Sequence, residues 1–264
     1  RTCHEMYNGH QANVTFSVDT SNMNIVDKFT GIWNTSNGYV SHSFNQFIQV
    51  DNGTLLGVDH GEGYPTALVL SKYVSDISSG NFQSGISTPC KSLTFMSLVN
   101  DTSIHYNYTG ASLGAFEYSD SAYLIAGTKD TDSTATTRDV FITSMDKSSG
   151  ETFTHFYSNY AGTDDSALTP HLVKTGNNSF ILLWSNQGYV YYTAVDGTGQ
   201  QVGTTHKMAG NLSDCAPIVS NGKVIWYTWK NQFNTFYEIS LNDLSSNHAV
   251  RIENGHKYNY ADKA

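Results

Sequence analysis

Charged residues are scarce in this chain. Asp, Glu, Lys and Arg together make up only 14% of its 264 residues, and the formal net charge is −9. An acidic chain with so few cationic side chains is a poor match for a nucleic-acid backbone or an anionic membrane surface. No apolar run approaches the roughly 20 residues of a membrane-spanning helix. We therefore expect neither nucleic-acid binding nor membrane insertion.

Signatures of catalytic chemistry are missing as well. The chain has no Gly-x-Ser-x-Gly in a strand–turn–helix context, no glycine-rich phosphate loop and no Cys-x-x-Cys zinc spacing. No segment keeps a 3.6-residue apolar period over three turns, so helix content should be close to nil. These absences leave catalytic residues unassigned.

One pattern occurs twice between Pro170 and Leu244. Each copy holds three short apolar, aromatic and β-branched runs separated by Gly, Asn or Asp, and the prolines that open the copies, Pro170 and Pro217, lie 47 positions apart. Such runs predict strand meanders, and a repeat of this period is typical of β-propeller blades. We predict an all-β fold of four-stranded antiparallel blades with almost no helix.

The rest of the chain divides into similar units, so we predict one β-propeller domain over residues 1–264. The predicted parts are closing strands in 1–40, blades at 41–110, 111–165, 166–212 and 213–252, and a tail at 253–264. The polar segment 129–138 is predicted to be an exposed loop. An open sheet edge leaves backbone groups unpaired, so the ring should close. A fifth blade built from both chain ends is the simplest closure, within a range of four to six blades, and strands from a neighbouring chain are the alternative.

The densest polar cluster lies around residue 60. Asp59, His60, Glu62 and Tyr64 occupy a predicted turn with flanking glycines, and His42 lies upstream. Asp and Glu oxygens with a His could bind a ligand or a metal ion. The alternative is a structural loop in which Asp59 and His42 satisfy buried backbone groups.

A second acidic pair, Asp130 and Asp132, lies in the predicted loop. Together with Asp59 and Glu62 it is the candidate set for a weak cation site such as Ca²⁺, and solvated turn residues are the alternative. The calcium-loop spacing is absent, so no cofactor is expected apart from this Ca²⁺ option.

Covalent modification is the other use of polar turns. Seven Asn-x-Ser/Thr sequons predict glycosylation of a secreted chain; they begin at Asn13, Asn34, Asn52, Asn100, Asn107, Asn177 and Asn211. The three cysteines Cys3, Cys90 and Cys215 permit at most one internal disulfide. Two interpretations stay open: a disulfide involving Cys3, or buried small side chains at Cys90 and Cys215.

Aromatic side chains make up 13% of the chain. Trp33, Trp184, Trp226 and Trp229 fall mostly on predicted strands, where packing between blades is the first expectation. Rings at strand ends could instead form stacking platforms for sugars.

Two stretches resemble a known group of proteins. The segment Asp214-Cys-Ala-Pro-Ile-Val-Ser-Asn-Gly-Lys-Val-Ile-Trp-Tyr resembles repeat blades of large secreted or cell-surface proteins of bacteria and some protists. The pieces Ser41-His-Ser-Phe-Asn-Gln-Phe and Val58-Asp-His-Gly-Glu-Gly-Tyr-Pro look similar to the opening blade of such proteins. The resemblance covers about residues 41–250 and implies a propeller outside the cell or on its surface, but no activity.

These observations favour a non-catalytic extracellular propeller glycoprotein that binds glycans or other surface proteins, or that self-assembles as a homo-oligomer or filament. The alternative is a polysaccharide-processing glycoside hydrolase or lyase on the same scaffold, whose two carboxylates would come from different blades.

Overall fold

The computed structural model describes residues 13–31, 46–61, 66–73, 91–99, 111–130, 137–230 and 233–252. All regular structure in these ranges is β: four four-stranded antiparallel sheets and one two-stranded hairpin. In each large sheet the strand order follows the chain, as in a propeller blade. The predicted all-β class and the four-stranded antiparallel blades are therefore confirmed. Within the described ranges, no helix has the length and apolar character needed to cross a membrane.

The strands have the following bounds. The N-terminal hairpin consists of β1 (Asn13–Val18) and β2 (Ile25–Gly31). Blade 1 consists of β3 (Gln46–Asp51), β4 (Thr54–Gly61), β5 (Thr66–Tyr73) and β6 (Lys91–Val99). Blade 2 consists of β7 (Ala111–Tyr118), β8 (Ala122–Asp130), β9 (Arg138–Asp146) and β10 (Thr152–Phe156). Blade 3 consists of β11 (Leu168–Gly176), β12 (Ser179–Asn186), β13 (Tyr189–Asp196) and β14 (Gln201–Ala209). Blade 4 consists of β15 (Ile218–Ser220), β16 (Lys223–Lys230), β17 (Phe233–Ser240) and β18 (Asn247–Ile252).

Asn-Gly pairs set the first turn in two of the blades. Asn52-Gly53 joins β3 to β4, and Asn221-Gly222 joins β15 to β16. Both residues of each pair have positive φ, between 48° and 75°. Two-residue hairpin turns of this kind match the twist of the flanking strands, and Asn and Gly adopt them at the lowest cost. The turns fix the register that decides which side chains face each neighbouring blade.

Alternating side chains of each sheet form apolar layers between successive blades. The layer between blades 1 and 2 includes Leu56, Val58, Leu68, Leu70, Phe116, Ile125 and Phe141. The layer between blades 2 and 3 includes Leu124, Val140, Ile142, Leu172, Phe180, Leu182 and Trp184. The layer between blades 3 and 4 includes Ile181, Leu183, Tyr192, Val224, Trp226, Tyr237 and Ile239. The two copies of the sequence repeat are thus neighbouring blades, as predicted.

The first strand of each blade lies innermost. β7 contacts β3 on one side and β11 on the other, and β11 also contacts β15. The fourth strands β10, β14 and β18 are largely exposed. Gly114 of β7 marks the closest approach between inner strands, because a Cβ built there would overlap the carbonyl oxygen of Pro170 on β11. Inner strands in mutual contact and exposed outer strands are the arrangement of a propeller.

Two local predictions are wrong. The predicted loop 129–138 is shorter, because β8 extends to Asp130 and β9 begins at Arg138, with these two residues paired across the hairpin. The turn predicted to hold Asp59 and His60 does not include them, because both residues belong to β4. In both cases the polar residues continue the hydrogen-bonded pairing of the strands, because their side chains are compatible with a strand conformation.

Candidate functional site

The acidic cluster predicted around residue 60 is only partly described. Asp59 is the Cα partner of Gln46 and of Val69, and His60 is the partner of Leu68, so both are regular strand residues. His42, Glu62 and Tyr64 lie outside the described residues. A ligand site at this position therefore stays a prediction. Its Asp59 and His60 would come from strand β4 and not from a glycine-flanked turn.

Asp130 has a cationic neighbour. The Arg138 Nε donates a hydrogen bond of 3.0 Å to Asp130 Oδ1 across the β8–β9 hairpin. Its companion Asp132 lies outside the described residues. Within the described ranges no three His, Cys, Asp or Glu side chains are grouped as metal ligands would be, so the Ca²⁺ option remains a prediction.

Three of the predicted modification sites are described at turns or connections. Asn52 and Asn177 are exposed at the β3–β4 and β11–β12 turns, where a glycan meets no obstacle from its own blade. Asn211 is half-buried, and its carbonyl oxygen accepts a 3.0 Å hydrogen bond from the Trp226 indole. Asn13 is a residue of β1. The sequons at Asn34, Asn100 and Asn107 lie outside the described residues.

Cys215 is an exposed free thiol. The interpretation of Cys215 as a buried small side chain is therefore wrong, because it lies in the exposed connection between β14 and β15 rather than on a strand. Cys3 and Cys90 lie outside the described residues, so the disulfide involving Cys3 stays a prediction.

A cluster of lysines and tyrosines joins three blades at the ends of the inner strands. Lys147 of blade 2 donates to Asp51 Oδ2 of blade 1 at 2.6 Å. Lys174 of blade 3 donates to the carbonyl oxygen of Tyr118 at 2.7 Å. Both ammonium groups also lie over the Tyr118 ring, at 5.0 Å and 3.9 Å from its centroid. We call Asp51, Glu117, Tyr118, Lys147 and Lys174 the inner cluster.

Glu117 is the member of the inner cluster with the most perturbed acidity. Burial raises the pKa of its carboxyl group to about 7, and the positive charge of Lys174 opposes that rise. A half-buried carboxylic acid that titrates near neutral pH can donate or accept a proton, and such groups concentrate at functional sites. Structural charge networks produce the same signature, so the chemistry depends on what else reaches the carboxyl group.

His171 lies nearer the start of the same inner strand as Lys174. Its Nε2 donates a 2.7 Å hydrogen bond to the carbonyl oxygen of Ser213 in the connection between blades 3 and 4. Burial lowers the pKa of this imidazole, with the Ser213 bond and the charge of Asp214 opposing. His171 therefore ties two blades together as a neutral ring at pH 7.

Ser112 lies within the sequence Gly110-Ala-Ser-Leu-Gly114, but not in a nucleophile elbow. It is a residue of strand β7, and its Oγ shares a 2.7 Å hydrogen bond with Thr128 Oγ1 on the neighbouring β8. No imidazole is paired with this hydroxyl among its described contacts. Ser112 is therefore a strand residue and does not stand at a strand-to-helix turn.

The outward side of blade 4 carries a large apolar surface. Directly paired residues of antiparallel strands project to the same side of a sheet, and the registers of β15 to β18 place seven apolar residues on the side away from blade 3. We call this surface the blade 4 face; its residues are Ile218, Ile225, Tyr227, Trp229, Phe236, Val250 and Ile252. All except Ile225 are exposed, by 43–62%. The rings of Tyr227 and Phe236 stack with centroids 5.8 Å apart.

The exposed apolar area of the blade 4 face lies at the upper end of what a typical monomer shows. These side chains present on the order of 600 Å², and the largest patch on a typical monomer is roughly 300–600 Å². Glu238 and His248 lie on the same side, in the row of Ile225, and Glu238 accepts a 2.7 Å hydrogen bond from Lys223. An uncharged, aromatic-rich centre is the composition of a protein–protein interface core.

Sequence reasoning placed the tryptophans on strands but did not predict which side of the sheet each one occupies. Trp184 and Trp226 pack between blades as predicted, and Trp33 lies outside the described residues. The packing prediction for Trp229 is wrong, because it is 61% exposed. Strand alternation could have separated Trp226 from Trp229, which lie three positions apart and so on opposite sides. Glu117 and Lys174 gave no sequence signal, because only the fold brings β7 and β11 together.

Comparisons with known proteins gave no sequence match and only distant structural similarities. No family model matches the chain, and no characterised protein sequence matches it either. Among solved structures, TolB from Acinetobacter baumannii superposes with a TM-score of 0.46 and 14% identity, over 93% of this chain and 52% of that one. A sialidase from Trypanosoma rangeli gives a TM-score of 0.43 and 9% identity, over 89% and 40%. The WD40 domain of SCAP from fission yeast gives 0.37 and 9%, over 93% and 59%.

The chain thus spans between two fifths and three fifths of the length of these three proteins. Similarity at this level assigns no activity to it.

Proposed function

We propose that the protein is a non-catalytic, extracellular β-propeller that serves as a self-associating structural subunit. The observation that carries the proposal is the blade 4 face, where aromatic and aliphatic side chains cover the outward side of a whole blade. Its exposed area is close to the roughly 800 Å² that each partner contributes to a standard interface. Covering it would remove from water side chains that nothing else in the described chain covers.

The chemistry of the blade 4 face favours a protein over a sugar as partner. A sugar platform needs polar groups beside the ring to hydrogen-bond hydroxyls. Tyr227, Phe236 and Val250 are paired with one another across the sheet, and Trp229 is paired with Asn234, the one polar residue in these two rows of the described sheet. Glycan binding by the propeller remains the second form of the same proposal, and a glycan array tests it directly.

The extracellular part of the proposal is supported by the exposed sequons. Asn52 and Asn177 are exposed turn residues that a transferase could reach. Expression through a eukaryotic secretory pathway should add glycans to both. Intact mass before and after glycosidase treatment measures this, and loss of the mass difference in Asn52→Gln and Asn177→Gln identifies the sites.

Self-association through the blade 4 face is tested by sedimentation velocity over a concentration series. The wild-type mass should rise with concentration, and Trp229→Glu should remain monomeric. Phe153→Glu is the matched control, because Phe153 is similarly exposed but lies on the outer strand of blade 2. Association of Trp229→Glu at the wild-type level would contradict the proposal.

The enzymatic alternative rests on Glu117. A carboxyl group whose pKa is raised to about 7 is suited to protonate a leaving group. Glycoside hydrolysis needs a second carboxylate, and Asp51 of the inner cluster is already bound by Lys147. Incubation with a panel of polysaccharides decides: turnover that Glu117→Gln abolishes would establish the enzyme and overturn the non-catalytic proposal.

A further inference from the structure

The β1–β2 hairpin has the turn of a propeller blade. Asp19 Oδ1 accepts hydrogen bonds from the backbone N and the Oγ of Ser21, at 2.8 Å and 2.7 Å. In blade 2, Asp146 Oδ1 accepts the same two bonds from Ser148, at 2.9 Å and 2.6 Å. The third-to-fourth strand turns of blades 3 and 4 repeat them, with Asp196 receiving Thr198 and Asp243 receiving Ser245.

The backbone of the first two turns is the same as well. Met23 N donates to Asp19 O, as Gly150 N donates to Asp146 O. Met23 has φ of 61° and Gly150 has φ of 77°. In each turn the N of the aspartate donates to the carbonyl oxygen of the residue five positions later. The turn of β1–β2 therefore corresponds to the turn between the third and fourth strands of a blade.

The position of the hairpin in the chain agrees with that correspondence. Between successive blades, the connections from a fourth strand to the next first strand cover residues 100–110, 157–167 and 210–217. The connection from β2 to β3 covers residues 32–45, which is of similar length. β1 and β2 thus precede blade 1 as the outer two strands of one further blade would.

Each chain then carries an outer half-blade before blade 1 and an uncovered side at blade 4. In blade 4 the exposed aromatic residues lie on β16 and β17, and Val250 and Ile252 lie on β18, so the surface extends across the outer strands. That is where the outer half of a following blade would pack. The blade 4 face stays exposed although the same chain carries the hairpin.

We infer that the β1–β2 hairpin of one chain packs on the blade 4 face of a second copy. This inference rests on the proposed self-association and names its partner surface. The contact is heterologous, joining two different surfaces, so repeating it produces a closed ring of two or more copies or a filament.

Two variants break the two halves of this contact separately. Thr15→Pro removes a ladder donor in the middle of β1 and disrupts the hairpin, and Thr15→Ser is its control. Trp229→Glu places a charge in the blade 4 face. Tryptophan fluorescence and the thermal transition of each variant verify that the blades remain folded.

The decisive measurement is the mass of each variant alone and of an equimolar mixture. Both Thr15→Pro and Trp229→Glu should be monomeric alone, whereas the mixture should form a one-to-one dimer that does not grow. Association of Thr15→Pro alone at the wild-type level, with Trp229→Glu monomeric, would overturn the hairpin contact and leave the proposed self-association standing. A wild-type chain that stays monomeric at all concentrations would overturn both.

Discussion

Blades 3 and 4 repeat one residue pattern, but only blade 3 is covered on both sides. Aligned from their first turns, Ile181 and Leu183 of β12 correspond to Ile225 and Tyr227 of β16. Ile181 and Leu183 are buried because blade 4 packs on them. Tyr227 occupies the same kind of position and is exposed, since the described chain places no blade beyond it.

The uncovered side keeps large apolar residues, although Glu238 and Asn234 stand where blade 3 has Ala194 and Val190. Where blade 3 has Ser185, whose Oγ accepts a 3.0 Å hydrogen bond from Leu212 N, blade 4 has Trp229. A strand side that faces water permanently is normally polar. The two blades therefore differ in covering as well as in composition, and the first prediction below tests the difference in covering.

The largest expected effect separates two tryptophans of one strand. Trp226 is 4% exposed, stacks on Tyr237 at 5.1 Å and donates its indole hydrogen to Asn211 O, so Trp226→Ala should lower the free energy of unfolding by about 3–5 kcal/mol. Trp229→Ala should lower it by less than about 1 kcal/mol in the monomer, as an exposed side chain does. Denaturant unfolding at low concentration measures both, and equal losses would mean that the monomer covers Trp229.

The second-largest effect on stability is expected at Gly114, where the inner strands β7 and β11 approach most closely. Gly114→Ala would place a methyl group against the backbone of Pro170, so the inner strands of blades 2 and 3 must separate. Overpacking of this kind lowers the free energy of unfolding by about 1–3 kcal/mol. Gly53→Ala is the comparison: its Cβ meets nothing, and only its φ of +75° penalises the substitution. A smaller loss at Gly114 than at Gly53 would argue against tight contact at the axis.

The strands could be predicted from the sequence because their signals are local. Asn52-Gly53 and Asn221-Gly222 fix two-residue turns, and the apolar runs between turn residues are long enough for one strand each. The loop predicted at 129–138 failed for a physical reason: Arg138 and Asp130 pair with each other, so polarity did not end the strands there.

The site could not be predicted because it is assembled by packing between distant segments. Glu117 owes its acidity to burial beside Lys174, a residue 57 positions away in the chain. Trp226 and Trp229 are alike in sequence, and only the presence of blade 3 on one side distinguishes them. The blade character of β1–β2 resides in backbone and hydroxyl hydrogen bonds that a pattern of apolar residues does not report.

A pH-dependent effect should distinguish the covered interface between blades 2 and 3. The folded-state pKa of Glu117 is about 7, above its ordinary value of 4.5, so the folded chain binds the proton more tightly and stability falls as pH rises from about 4.5 to 7. Glu117→Gln removes this loss and should raise the free energy of unfolding at pH 8 by about 1–2 kcal/mol, after discounting for solvent screening. The gain should vanish near pH 4.

Unfolding of both proteins across this pH range provides the measurement. Glu151→Gln is the control, since Glu151 is exposed and surface substitutions usually change the free energy of unfolding by less than about 0.5 kcal/mol. A gain for Glu117→Gln that is constant from pH 4 to pH 8 would contradict a titrating, buried carboxyl group.

The smallest effect compares the hairpin with the blade turn that it reproduces. Met23 adopts a positive φ that Gly150 adopts in blade 2, and a non-glycine residue there is disfavoured by about 1–2 kcal/mol. Met23→Gly relieves this but adds about 0.5–1 kcal/mol of chain entropy to the unfolded state, so the hairpin should gain roughly 0.5–1 kcal/mol. Amide exchange in β1 and β2 should slow about two- to fivefold. Thr20→Gly, which adds the entropy without relieving strain, should speed it; slowing by both would show that the turn conformation is not what limits the hairpin.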